Sequence, residues 1–417
     1  MEENQKKRSF GSGLGIGLVL GMFFAAAVCT GIVFIYPRVA GKLLVFGRHG
    51  GAVEEKSDFL NRDVVEKVDE LSEYIDLYYY DEFDKEKMQN GLIAGVMNGL
   101  EDPYSVYYTK EDYQDLQIKT SGTYYGIGAA LQQDKKTMAV KISKIYKGTP
   151  SEEAGLKKDD LILYVNDVDA TSMELSKLVQ LIRGEEGTAV HLKVYREATE
   201  ETLEFDVIRK NVELPSVEGQ MLEGNMGYIQ IGEFQTNTPA QFHEIFADLE
   251  EQGMKGLIVD VRSNPGGLLT AVVDVLDEIL PKGIVVYTQD KYGNRQDFES
   301  DASCIEYPLV VLADENSASA AEIFAGAIKD FDYGTVVGTT TFGKGIVQSI
   351  FPLEDGDAVK ITTAKYFTPK GNYIHGVGIE PDVELEYEFM GPKEAEYEMK
   401  YDNQLQKAME LMAEELK

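Results

Sequence analysis

Residues 316–348 read N-S-A-S-A-A-E-I-F-A-G-A-I-K-D-F-D-Y-G-T-V-V-G-T-T-T-F-G-K-G-I-V-Q, and the reading of this stretch decides both fold and chemistry. Just before it, Pro308 to Ala313 is a short apolar run with the signature of a buried strand. Ser317 to Lys329 then carries apolar residues at helical spacing, which predicts a helix with Ser319 in its first turn. Unpaired N–H groups and the helix dipole at such a position favour developing negative charge, as a tetrahedral acyl intermediate requires. The small neighbours Ala318 and Ala320 leave the hydroxyl approachable.

A nucleophilic serine needs a base. The four histidines, His49, His191, His243 and His375, sit in no recognisable triad context, and His375 reads as structural or solvent-facing. Lys344, flanked by Gly343 and Gly345, is the other candidate, because glycines let its backbone approach another element. To act as base near neutrality a lysine must lose roughly two to three pKa units through burial. Phe342, Ile346 and Val347 are expected to supply the dry surroundings, and Gln348 to hold the amine. The competing reading is a surface lysine in a glycine turn. Another rival comes from Gly338 to Gly345, which nearly spells a phosphate loop. The eighth position is Gly345, which has no hydroxyl for magnesium, and Ile346 to Phe351 continues as a strand rather than a helix.

S-A-S-A-A-E, followed 25 residues after Ser319 by the lysine of T-F-G-K-G-I-V-Q, resembles the carboxyl-terminal processing (tail-specific) protease family. The resemblance implies a Ser–Lys dyad supported by a glutamine, here Ser319, Lys344 and Gln348, with neither cofactor nor metal. It also makes R-S-N-P-G-G at 262–267 one half of an oxyanion hole, the Gly266 N–H pairing with that of Ala320. This turn follows the apolar strand Leu257 to Val261, where glycines let an amide face a ligand. T-P-K-G-N-Y-I-H-G-V-G-I-E-P-D at 368–382 is similar to the family's closing hairpin.

Working outward, residues 213–385 form the expected α/β (α+β) protease core. Residues 121–212 resemble a PDZ domain: Tyr125-Gly126-Ile127-Gly128 precedes alternating apolar residues, then A-G-L-K-K-D-D-L-I-L-Y-V-N at 154–166. That glycine loop would present amides to a peptide's terminal carboxylate while the peptide adds as a strand. Arg183 is expected in a surface salt bridge, with domain docking as the alternative. Residues 58–120 carry two apolar stripes at helical spacing, Val64, Val68, Leu71, Ile75 and Met88, Leu92, Val96, Leu100. Core packing and a homodimer interface stay open for both stripes. L-E-D-P-Y-S-V-Y at 100–107 is similar to the segment where the family's helical region turns toward its next domain. The C-terminal region, 386–417, places Leu405, Ala408, Met409, Met412 and Leu416 on one helical face.

At the other end, 13–36 is an uncharged, mostly apolar run of 24 residues after Lys6-Lys7-Arg8, long enough to span a bilayer. A cytoplasmic stub (1–12), a single transmembrane helix and a tether (37–57) are expected, with the catalytic part outside the cytoplasm. The net charge of −32 argues against nucleic acid as a partner. Cys29 and Cys304 make no disulfide framework. The expectation is a membrane-anchored serine endopeptidase acting on protein carboxyl termini; the alternative is a non-catalytic PDZ receptor with a latent core.

Overall fold

The computed structural model describes residues 59–417, so the expected span, Cys29 and His49 lie outside the described residues. Among the described residues, no helix is long and apolar enough to cross a membrane. The chain divides into two units, residues 1–84 and 85–417.

In the first unit, α1 (Arg62–Tyr78) starts where Asn61 Oδ1 accepts the Val64 N–H at 3.1 Å. None of its residues is buried, and Leu71, Tyr74, Leu77 and Tyr78 are exposed. In the second unit, α2 (Lys85–Asn98) buries Met97 and leaves Met88, Leu92 and Val96 exposed. Both predicted helices are therefore present, and most of each stripe is exposed.

After α2 the chain makes a short strand, β1 (Val106–Tyr108), and α3 (Lys110–Ser121), capped by Thr109 and ended by Gly122 in the left-handed region. It then enters the PDZ unit through β2 (Thr123–Gly126) and leaves through β9 (Lys210–Glu213). These two strands pair antiparallel, so both passages lie side by side. Between them, β3 (Ala129–Gln133), β4 (Val140–Ile145), β5 (Leu161–Val165), β7 (Ala189–Arg196) and β8 (Glu201–Ile208) follow one another across a sheet, with the two-residue β6 (Val168–Asp169) beside β5. Short α4 (Pro150–Ala154) and α5 (Leu175–Ile182) complete the unit. Val140, Ile142, Ile162, Leu178, Leu192 and Val194 fill its separate core.

The protease core is a sheet in the order β10 (Val217–Leu222), β11 (Met226–Ile231), β12 (Gly256–Asp260), β15 (Leu309–Ala313), β16 (Thr335–Gly338) and β19 (Val383–Glu384). From β11 onward neighbouring strands run parallel. Alternation along them decides which helix goes where. Ile229, Leu257, Val259, Leu309 and Val311 face α6 (Thr238–Glu251), α7 (Leu269–Ile279) and α8 (Ala320–Asp330). Their neighbours Tyr228, Ile258, Val310, Leu312 and Val337 face α9 (Asn403–Glu415) through Leu405, Ala408 and Met412. The C-terminal helix thus docks on the body of its own chain. A second sheet carries β13 (Gly283–Asp290), β14 (Arg295–Ser300), β17 (Ile346–Pro352) and β18 (Ala358–Phe367), and β1 pairs with β18.

A buried ionic cluster fastens α9 to the end of β12. Arg262 donates to Asp260 at 2.6 Å and to Asp402 at 2.9 Å, and its Nη1 also reaches Gln404 at 2.9 Å. The Tyr228 and Tyr397 hydroxyls donate to the same Asp260 and Asp402 oxygens that Arg262 Nη2 contacts, and Asp402 also caps α9 through the Leu405 N–H. Asp402→Ala strips Arg262 of one buried partner and removes the cap, and should cost about 3–5 kcal/mol, read from urea unfolding; Asp402→Asn, which keeps the cap, should cost less.

Candidate active site

The carboxyl ends of β12 and β15 face the same crevice, the usual place for a site in an open parallel sheet. From β15 the chain turns through Asp314 to Ala318 and reaches Ser319, which has φ 55° and ψ −112°. The predicted helix therefore starts later than its apolar spacing suggests. Ser319 is its N-cap in a strained conformation, and Ala320 is the first helical residue. Such a conformation persists only if its surroundings over-determine it. Here the Ser319 N–H donates to Glu322 Oε2 at 2.8 Å, and the Ser319 carbonyl accepts from the Tyr366 hydroxyl at 3.1 Å. Ala318 N–H donates to the Asn264 carbonyl at 2.9 Å.

Glu322, fully buried, was not singled out from the sequence, although the spacing Ser319-x-x-Glu322 is that of a capping box. Its carboxylate accepts four hydrogen bonds. Oε2 takes the N–H groups of Ser319 and Lys344, each at 2.8 Å; Oε1 takes the Thr341 hydroxyl at 2.6 Å and the Gly343 N–H at 2.7 Å. One side chain therefore ties the serine's main chain to that of the lysine loop. The same contacts dispose of the phosphate-loop rival: two loop amides close on this internal anion, and β17 rather than a helix follows.

Lys344 is half-buried, and its amine lies 4.6 Å from the centroid of the Tyr104 ring without a hydrogen bond to Ser319 Oγ. Burial pushes the amine below the ordinary lysine range, and nearby Lys360 adds to this, while Glu322 and Asp102 oppose it. The shelter does not come from Phe342, as expected, since that ring is 56% exposed. Ile346 is buried, and Gly345 packs so tightly that a β-carbon there would come within 2.7 Å of the His375 nitrogen. Gln348 lies on β17 beside a bulge and makes only long contacts of 3.5 Å to the Ile346 carbonyl and Thr362 Oγ1. It does not hold the amine in this arrangement.

The glycine turn after β12 does reach the serine: a β-carbon on Gly266 would sit 2.8 Å from Ser319 Cβ and 3.0 Å from the Ala320 nitrogen. The Gly266 N–H, however, is not open to a ligand as expected. It donates to Asn264 Oδ1 at 2.8 Å, because that fully buried side chain needs a donor for its oxygen while its Nδ2 serves the Ile231 carbonyl. Ala320, at the first helical position, has an N–H with no intrahelical acceptor. Among the described residues, His191 pairs with Asp206 and His243 with Glu278, away from this site.

In the PDZ unit, Tyr125 is exposed and belongs to the β2–β9 ribbon opposite Asn211, Ile127 is buried in the core, and Gly128 turns with φ 77°. A groove of about 220 Å³ runs past Ile127, Ala129, Leu131, Leu175, Val179 and Ile182. Its mouth is narrowed by Tyr124, whose ring lies over Gly126 and whose phenol oxygen is faced by the Gly128 and Ala129 amides. Arg183 stands over that ring, 5.4 Å from its centroid, and forms the expected surface salt bridge with Asp115 of α3 at 2.7 Å.

Comparison with known proteins adds three matches along the chain: peptidase family S41 over residues 225–385, a PDZ domain over 141–196, and the activating protease CtpB N-terminal domain over 39–112. The carboxy-terminal processing protease CtpB of Bacillus subtilis is 35% identical over 347 residues, 81% of this chain and 72% of that protein. The carboxyl-terminal-processing protease of Synechocystis is 36% identical over 74% of this chain and 75% of its own length. A solved photosystem II D1 C-terminal processing protease superposes with TM-score 0.45 at 30% identity, covering 78% of this chain and 87% of that one.

Replacing the shared carboxylate tests the link between the two loops. Glu322→Gln turns an amide NH2 group toward two of the four donors; it should cost about 1–3 kcal/mol of stability and, by shifting the serine relative to the lysine, lower kcat/KM by about 100-fold or more. Peptide cleavage assays beside thermal unfolding separate the two losses.

Proposed function

Because this chain belongs to peptidase family S41, among the carboxyl-terminal processing proteases, and is a serine-type peptidase, we propose that Ser319 is its nucleophile and Lys344 its general base. The observation that carries this reading is the Glu322 carboxylate, which accepts the main-chain N–H of both residues and so ties the strained serine to the loop that carries the half-buried lysine. Uncharged Lys344 removes the Ser319 proton as Oγ attacks the peptide carbonyl. The oxyanion is held by the Ala320 N–H, joined by the Gly266 N–H once it exchanges Asn264 for the ligand. Lys344 then passes the proton to the leaving amine, and water releases the acyl group by the same route. Gln348 steadies the amine once Lys344 has left the Tyr104 ring.

The structure corresponds in this reading to a resting enzyme, and the PDZ unit supplies the signal. A substrate's carboxyl terminus displaces the Tyr124 hydroxyl from the Gly128 and Ala129 amides and adds as a strand along the groove. We further propose that residues 13–36 anchor the chain in a membrane with the catalytic part outside the cytoplasm, and that a second copy covers the exposed stripes of α1 and α2. These rest on the apolar run of the sequence and on the exposure of Leu71, Leu92 and Val96. The separation of amine and hydroxyl at rest also favours a second reading, a PDZ receptor with an idle core.

Ser319→Ala and Lys344→Arg should each abolish peptide cleavage, since arginine stays protonated at working pH. A fully active Lys344→Arg variant removes the base assignment. In the native enzyme kcat/KM should rise with pH through the depressed Lys344 value and fall on acidification, because only the free amine accepts the proton. A peptide with a free apolar carboxyl terminus should be cleaved at least about tenfold faster than its amidated twin, a loss of about 1.4 kcal/mol or more; cleavage of neither supports the receptor reading.

A further inference from the structure

We propose that Tyr104 is a positioning residue for Lys344: its ring is the resting seat of the ammonium and sets the pH at which the amine is released toward Ser319. This rests on the reading of Lys344 as base. The ring belongs to the turn between α2 and β1, a segment whose sequence suggested only a domain junction. The turn is rigidly built. Asp102 Oδ1 accepts the Tyr104 N–H at 3.0 Å and Asp102 Oδ2 the Ser105 hydroxyl at 2.6 Å. Ser105 Oγ in turn accepts the Thr362 N–H at 3.0 Å, and β1 continues the attachment by pairing Val106 with Lys360 on β18.

Lys344 belongs to a loop held by Glu322. Its amine lies 4.6 Å from the ring centroid, inside the range of about 6 Å over which an aromatic face attracts a cation. The charged and titratable groups around it are Asp102 and Tyr104 of the turn, Glu322 of α8, Lys360 of β18 and, packed on Gly345 and near Asp102, His375. Asp102 directs its oxygens to Tyr104 N–H and Ser105, so the ring takes the place that an ion pair would have filled. A carboxylate at that point would hold the proton firmly. The π face attracts the ammonium but accepts no proton from it, and it has no comparable attraction for the neutral amine. Deprotonation and departure from the ring are therefore coupled: the amine becomes a base and loses its tether in one event.

The test is the pH dependence of kcat/KM, which reports the free enzyme, for the native protein and for Tyr104→Phe, Tyr104→Leu and Tyr104→Trp. Phenylalanine keeps the ring and should leave the acidic limb in place. Leucine keeps apolar bulk without the π face and should move the midpoint down by about 0.5–1 pH unit. Tryptophan, the stronger partner for a cation, should move it up. If the leucine variant fails to fold, the upward shift in the tryptophan variant decides the matter. Coincident profiles for all the folded variants would overturn the role of Tyr104. Should Lys344→Arg also remain active, the fault lies with the base assignment; if that variant is inactive, only the seat is wrong.

Discussion

Four donors converge on one buried carboxylate, and the crevice exists because of that convergence. Glu322 comes from the first turn of α8, while three of its partners come from the loop that leads into β17. Burying such a group is unfavourable unless every lone pair is used. Here all are, so removing any one contact exposes the cost of the rest. The strained backbone at Ser319 is part of the same bargain, since its N–H finds a partner only while the serine stays out of helical geometry. Fold and chemistry meet in this set of hydrogen bonds.

In the reading proposed, the site is assembled but not aligned. Ser319 and Gly266 touch, the lysine loop is locked, and yet the amine sits on an aromatic ring and one amide is turned inward to Asn264. Each departure is satisfied by a local interaction of ordinary strength.

Much of the architecture was legible because it is periodic. Continuous apolar runs gave β12 and β15 nearly to the residue, and the helical face of Leu405, Ala408 and Met412 gave α9. What escaped was set by partners distant in sequence. The helix at Ser319 was read three residues too early because the apolar spacing runs back to Ser317, whereas Glu322 and Tyr366 hold the serine's main chain from outside. Phe342 looked like shelter for Lys344 since apolar neighbours in sequence suggest apolar neighbours in space, but Tyr104, 240 positions away, lies against the amine instead. Gly266 was recognised as approaching the serine, while the hydrogen-bonding need of Asn264, two residues earlier, carries no pattern at all.

The ribbon of β2 and β9 has a consequence for how such an enzyme diversifies. Both passages into the PDZ unit lie against each other, pinned at the base where Leu214 N–H meets the Gly122 carbonyl and Asn237 bridges Gly122 and Leu214. A module whose ends are adjacent can be enlarged, exchanged or deleted without pulling the host apart. The PDZ unit and the peptidase core are thus separable parts, free to vary at different rates, with a two-stranded stem and a few ion pairs such as Arg183 with Asp115 as the seam that evolution or an engineer has to respect.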